Sequence, residues 1–228
     1  MADDTMGKVL ARIDATTYRA GGVLRRMLEV AIDGVGPLPS ARHSAGKHYA
    51  RHQGDFNAAI DGIITGHIAL AGAQGFVTNV GGLAVLPVSL PANITGVATV
   101  QTRMIAAIAH LHGYDLADNR VRTAIVLCLL GGEEVARRIH NGVIPTSPMA
   151  IATAPMFDPE LDRRVAKEVA TTLLTRVGGK GLALTVTKRV PIIGGGVGAV
   201  VDGWSTRFIG KYARGELRNR RRTARNSV

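Results

Sequence analysis

Residues that commonly carry chemistry are scarce in this 228-residue chain. It has one cysteine, Cys128, which excludes a disulfide scaffold and a cysteine-rich metal centre. Cys128 lies in the apolar run 124–130, where a thiol behaves as a small buried hydrophobe and not as a nucleophile. Aromatic residues make up only 4%, so the core has to come from Ala, Val, Leu, Ile and Gly. Such side chains bury little area each, and close backbone approach must supply the packing. There is no G-x-S-x-G turn, no carboxylate pair at a glycine turn and no Cys–His framework. Without these the chain reads as non-enzymatic.

Small and basic residues are plentiful. The chain holds 31 Ala and 28 Gly, and an apolar share of 46% excludes a disordered chain. Lys and Arg number 28 against 17 Asp and Glu, a formal charge of +11. That excess is localised: residues 211–228 hold seven basic side chains against Glu216, a net of +6, so the body is only mildly basic.

Strand patterns are sparse and apolar residues recur at helical spacing. The expected fold is all-α: a single compact multi-helix domain with Gly/Ala-rich helix crossings and a long C-terminal helix. Residues 1–40 read as an N-terminal helical segment, with helices over 8–19 and 23–32. Residues 41–210 read as the main helical domain, and 211–228 as a basic tail. Asp55 is placed to cap a helix through Phe56, Ile60, Ile63 and Ile64, and Asp118 to cap one over 120–130. Pro91 is expected to open a helix that reaches His112 and ends at Gly113. A short polar helix follows over 133–140, and the Pro-rich stretch 142–159 reads as a long loop. A helix over 160–176 should break at Gly178-Gly179 before another over 182–190.

Between Gly62 and Thr102 lie 41 positions with no charged residue. A spanning helix needs about 20 unbroken apolar residues, and Gly81-Gly82, Pro87 and Pro91 interrupt this run. Three readings stay open: a helical pair buried on all sides, a re-entrant membrane hairpin, or two short membrane helices. His67, Gln74 and the Thr and Asn residues dilute the hydrophobicity, which favours the first. Inside such a pair, Asn79, Asn93 and Gln101 need partners; carbonyls freed near Gly81 and Pro87 would serve, and a pocket there is the alternative use.

The C-terminal helix holds the clearest geometry. Trp204, Phe208 and Tyr212 recur at four-residue steps and should form an aromatic stripe. Arg207, Lys211, Arg214, Arg218, Arg221, Arg222 and Arg225 supply a cationic face beside it. Rings at the headgroups and arginines on phosphates would suit a helix lying on an anionic lipid surface. The plainer reading docks the aromatics on the core and leaves the arginines solvated. Nucleic acid is the other partner a basic tail serves, but no aromatics interleave with the arginines beyond Tyr212 and no binding motif is present.

Two further patterns are set aside. Gly194 to Ala199 imitates a dinucleotide fingerprint, yet the preceding segment is Pro-broken and Asp202 comes too early for the ribose-binding acid. Glycines at 194 and 198 suit close helix approach instead. His48 and His52 stand one helical turn apart with His43 nearby, but no Glu completes an H-E-x-x-H pattern, so they read as solvated histidines. No metal and no cofactor is expected.

The segment Gly81-Gly82-Leu83 through Pro87 to Pro91, then Gly113-Tyr114-Asp115, resembles the EcsC family. Lys188, Pro191, Ile192-Ile193-Gly194-Gly195, Gly198 and Asp202 before an aromatic–basic terminus extend the likeness. By order of motifs it covers roughly residues 45–215. The resemblance implies a helical protein without established enzymatic activity. It also implies a membrane-linked role, since the naming member is encoded beside an ABC-transporter pair. No leader-type apolar segment occurs in the first thirty residues, so the expected place is the cytoplasm, at the inner face of the membrane. There the chain would bind anionic headgroups or a membrane protein through its C-terminal helix. The alternatives are a lipid- or headgroup-modifying hydrolase, with its pocket in the uncharged run, and a basic-tail nucleic-acid binder.

Overall fold

The computed structural model describes residues 22, 24–34, 39–80, 86–186 and 193–218, and the side chains of these outside 74–80, 86–95, 174, 176–186 and 193–201. The helix expected over 8–19 lies outside the described residues. Among the described residues there are helices and no strand, as the sequence predicts.

Local signals place most of the helix ends. Helix α1, residues 24–33, buries Leu24, Met27, Leu28, Ala31 and Ile32, a single stripe at helical spacing. Ser40 opens α2 (Ala41–Arg51), its hydroxyl accepting from the His43 N–H at 3.1 Å. Asp55 Oδ1 accepts from the N–H groups of Asn57 and Ala58 at 2.9 and 3.0 Å, which starts α3 (Phe56–Val80). Past α4 (Leu86–Leu111), Asp118 caps α5 (Asn119–Cys128) in the same way, accepting from Arg120 N–H at 2.8 Å. Leu129 and Leu130 close tighter bonds to Val126 and Leu127, so α5 stops short of the expected Leu130. Next comes α6 (Gly132–His140).

Three expectations about helix bounds are corrected here. Helix α4 begins at Leu86, not at Pro91. Pro87 falls in the first turn, where N–H groups have no acceptor within the helix, and Pro91 forfeits a single bond. The Pro-rich stretch is not all loop: Ser147 caps a short α7 (Pro148–Ala152) with Pro148 in its first turn. Helix α8 (Pro159–Val186) runs unbroken through Gly178-Gly179, because glycine costs about 1 kcal/mol in a helix without blocking its geometry. Helix α9 (Ile193–Glu216) runs through Gly194–Ala199 as helical turns, in keeping with the reading of that stretch as helix and not as a dinucleotide loop.

Helix α4 is the hub, packing against α2, α3, α5, α8 and α9. From Val97 to Ala109 every residue except Thr99 is buried. Helix α3 instead keeps a solvent face at Asp61, Thr65, Ala69 and Leu70, while Ile60, Ile63, Ile64 and His67 are buried. The uncharged run is therefore not a pair enclosed on all sides; only α4 is enclosed over its described part. Among the described residues no helix is long and apolar enough to cross a membrane. Leu24 and Met27 from α1 share one apolar cluster with Ile105, Ile125, Val165 and Leu217.

Helices α2 and α9 occupy opposite flanks of α3. Gly62 and Gly66 lie against His48 of α2, whereas Ile64 and Ile68 meet Gly210 and Gly203 of α9. Positions two apart on a helix point about 200° apart, which sets these flanks against each other. At Gly210 a Cβ would stand 3.0 Å from both Ile64 and Met104. The missing side chain lets α9 settle against α3 and α4 together, the close crossing anticipated from the glycine content.

Candidate functional site

The aromatic stripe on α9 divides. Trp204 is 66% exposed and Phe208 54%, and their rings meet edge to face with centroids 4.7 Å apart. Tyr212 is turned inward, its ring lying over Gly132, where a Cβ would stand 2.8 Å from Tyr212 Cδ2. A four-residue step advances 400°, so each ring lies about 40° further round, and by the third the stripe has reached the core edge. Burial, then the neighbouring Cys128 and Glu216, push the Tyr212 hydroxyl pKa up.

The cationic face divides as well. Arg207, Lys211 and Arg218 are exposed. Arg214 crosses to α3, donating to Asp61 Oδ1 at 2.6 Å and to Asn57 Oδ1 at 3.2 Å. Arg221, Arg222 and Arg225 lie outside the described residues, as do the side chains of Asn79 and Asn93. Among the described residues, Gln101 finds its partners on α9. It is buried and donates to Thr206 Oγ1 at 3.1 Å and Ser205 Oγ at 3.4 Å, a polar link between α4 and α9. Cys128 is fully buried, and burial followed by Glu216 pushes its thiol pKa up, away from the reactive thiolate.

A second arrangement lies on the other flank. Helices α2, α3 and α4 enclose a recess of about 140 Å³, walled by Lys47, His48 and Arg51 from α2, His67 from α3 and Arg103 from α4. Among the described residues, no acidic side chain lines it. His48 and His52 stack with ring centroids 6.5 Å apart against Gly62, where a Cβ would come within 2.8 Å of His48 Nδ1 and 2.6 Å of His52 Nε2. The two rings thus fill the space that a side chain at residue 62 would take. They are only partly solvated, which revises the sequence reading for His48 and His52, while His43 is exposed. Among the described residues, no group of three or more His, Cys, Asp or Glu is placed to hold a metal ion.

Arg103 is only 5% exposed and its Nε is buried with no hydrogen-bond partner. Burial lowers its pKa, yet a guanidinium stays charged at any physiological pH. His67 is 2% exposed, and its Nδ1 lies 2.7 Å from the Ile63 carbonyl. A carbonyl only accepts, so Nδ1 carries the proton and the neutral ring has a bare Nε2, itself buried without a partner. Burial drives the His67 pKa down to about 4 against the opposing bond to Ile63, with Arg103 and His48 adding to the fall. His48 is lowered by burial first, then by Arg51, His52, Lys47 and Arg103. Sequence reading missed His67 and Arg103 as partners. The available signal was that His67 is the one ionisable side chain inside the uncharged run and Arg103 the charge that ends it.

Neither a curated protein nor a solved structure matches the chain. A model of the EcsC protein family matches residues 55–221, which takes in α3 to α9 and the start of the basic tail. The match spans most of the chain, in line with the resemblance carried by the glycine and proline motifs, and the protein belongs to the EcsC family.

Proposed function

We propose that the protein is a peripheral membrane-binding protein that docks on an anionic lipid surface through α9. The observation that carries this reading is the exposed Trp204–Phe208 pair, two large rings held edge to face in solvent. Exposed aromatics bordered by cations mark a contact surface, and amphipathic rings settle at the headgroup level of a bilayer. Arg207 and Lys211 neighbour the rings along α9, exposed Arg218 lies just past its end, and Arg221, Arg222 and Arg225 follow in the chain. Each basic residue near an anionic surface contributes about 1 kcal/mol, so six give weak, salt-sensitive adsorption once aided by the rings. Arg214 adds little, since Asp61 already holds it. The role is binding, not catalysis.

Trp204 is the sole tryptophan, so its fluorescence reports directly on this surface. With phosphatidylglycerol vesicles in low salt, its emission should shift to the blue and the protein should float with the vesicles. Phosphatidylcholine vesicles, or about 0.5 M salt, should abolish both effects. The variant Phe208→Ala with Arg207→Glu and Lys211→Glu keeps the reporter and should stay at the bottom of the gradient. Unchanged emission and no flotation with anionic vesicles would overturn the proposal.

A further inference from the structure

We infer that the recess between α2, α3 and α4 is a binding site for a phosphate monoester group, held by Arg103, Lys47 and Arg51 and bounded by His48 and His67. It lies on the opposite flank of α3 from the Trp204 surface and does not depend on the reading of α9.

Three cations converge on one cavity that has no acid in its lining among the described residues. Arg103 is the decisive one. A buried charge without a hydrogen-bonded counter-ion is strongly disfavoured, and this guanidinium, with its unpartnered Nε, makes no ion pair among the described residues. An oxyanion supplies what is lacking: charge of the right sign and acceptors for the guanidinium fork. The volume is about ten times what a single water requires, room for a tetrahedral oxyanion and the first atoms esterified to it.

His67 narrows the chemistry. Its Nδ1 is committed to Ile63, so the bare Nε2 cannot donate to an anion as it stands. Either Nε2 or the bound ligand takes up a proton from solution. Both routes bind one proton together with the anion. A phosphate monoester, with a second pKa near 6, is mostly dianion at neutral pH yet close enough to its pKa to take up that proton on binding; sulfate and carboxylates are not. The groups facing the histidines are Arg103 from α4 and Lys47, Arg51 and His52 from α2, with His43 on the lining, and none of these is an acid that would supply the proton. The phosphate belongs either to a small soluble ester or to a monoester lipid headgroup, which share this chemistry.

The test is titration calorimetry on the full chain with inorganic phosphate, glycerol 3-phosphate and short-chain phosphatidic acid, with sodium sulfate as control. Phosphate should bind about tenfold or more tightly than sulfate at pH 7, the weight of one charged hydrogen bond. Buffers of different ionisation enthalpy should show net proton uptake. Lys47→Met, at an exposed position, should weaken phosphate binding by about tenfold without moving the melting temperature. Arg103→Met should abolish binding yet hold or raise the phosphate-free Tm by about 2–4 °C, because it removes a buried unpaired charge. A purely structural arginine would lower Tm instead. Tighter binding of glycerol 3-phosphate assigns the site to soluble esters, and tighter binding of phosphatidic acid to lipid. No heat beyond dilution with any of the three phosphates, sulfate binding equal to phosphate, or Lys47→Met and Arg103→Met variants that bind like the parent would each overturn the inference.

Discussion

On the α9 flank of α3, Arg214 reaches Asp61 at 2.6 Å while Arg207, Lys211 and Arg218 remain in water. On the α2 flank, Arg103 is buried without an ion pair among the described residues, and the histidines beside it are held neutral. Both flanks are basic, so net charge does not separate them. The difference lies in solvation. Positive charge left in water, or paired at the surface, is nearly neutral for stability and free to meet an extended anionic surface. Positive charge taken out of water without a partner opposes folding, and persists where a bound anion relieves it. One flank suits a surface, the other a single group.

Acid should expose the contrast most strongly. The folded pKa of His67 is about 4 against an ordinary 6.5, so the unfolded chain binds the extra proton between those values. Stability from His67 is then fully present above pH 6.5 and is lost as pH falls toward 4, by about 3 kcal/mol. Urea unfolding at pH 7 and pH 4.5 checks this. His67→Gln should flatten the dependence, and so should saturating phosphate, whereas α9 variants should leave it unchanged.

Packing comes next. Gly210→Val forces a side chain between Ile64 and Met104 and should destabilise by about 2 kcal/mol, read as a lower urea midpoint. Gly62→Ala, its counterpart on the α2 flank, meets only the movable rings of His48 and His52. The gain in helix propensity of about 1 kcal/mol should offset their displacement. Little net change in stability is expected, but ring-proton shifts for both histidines should move in NMR spectra and phosphate affinity should fall. Were Gly62→Ala as damaging as Gly210→Val, the His48 and His52 rings would be as fixed as the packing of Ile64 and Met104.

Asp61→Asn should have the smallest effect. Removing this partly exposed pair should cost about 0.5 kcal/mol and less in high salt. It also frees Arg214, so anionic vesicles should bind slightly more tightly. Loss of vesicle binding would show that the pair organises the α9 surface and is not a bystander.

The all-α class, the caps at Asp55 and Asp118 and the burial of Cys128 follow from signals within a few residues of each site, and all were legible in the sequence. Pro91 and Gly178-Gly179 misled because their penalties are local and the packing that outweighs them is not. Trp204 and Phe208 were found as a stripe, but the inward turn of Tyr212 needed the 40° drift and the gap at Gly132. The recess was illegible for a related reason. His48, His67 and Arg103 come from three helices, and nothing in their local context says that α2 lies across the glycine edge of α3. Gln101 shows the same limit in reverse: a polar residue in an apolar run reads as a partner for freed carbonyls nearby and is a clasp between α4 and α9.

The solitary thiol of Cys128 also offers a clock. It sits in the core with no exposure and no second cysteine to confuse the signal. A thiol reagent therefore modifies only molecules that have opened around α5, and the labelling rate counts those events. Because the unmodified chain carries this reporter, the lifetime of the closed state becomes measurable with and without phosphate or vesicles. A ligand that braces the α2 flank should slow that clock, and one that merely touches α9 should leave it running at its own pace.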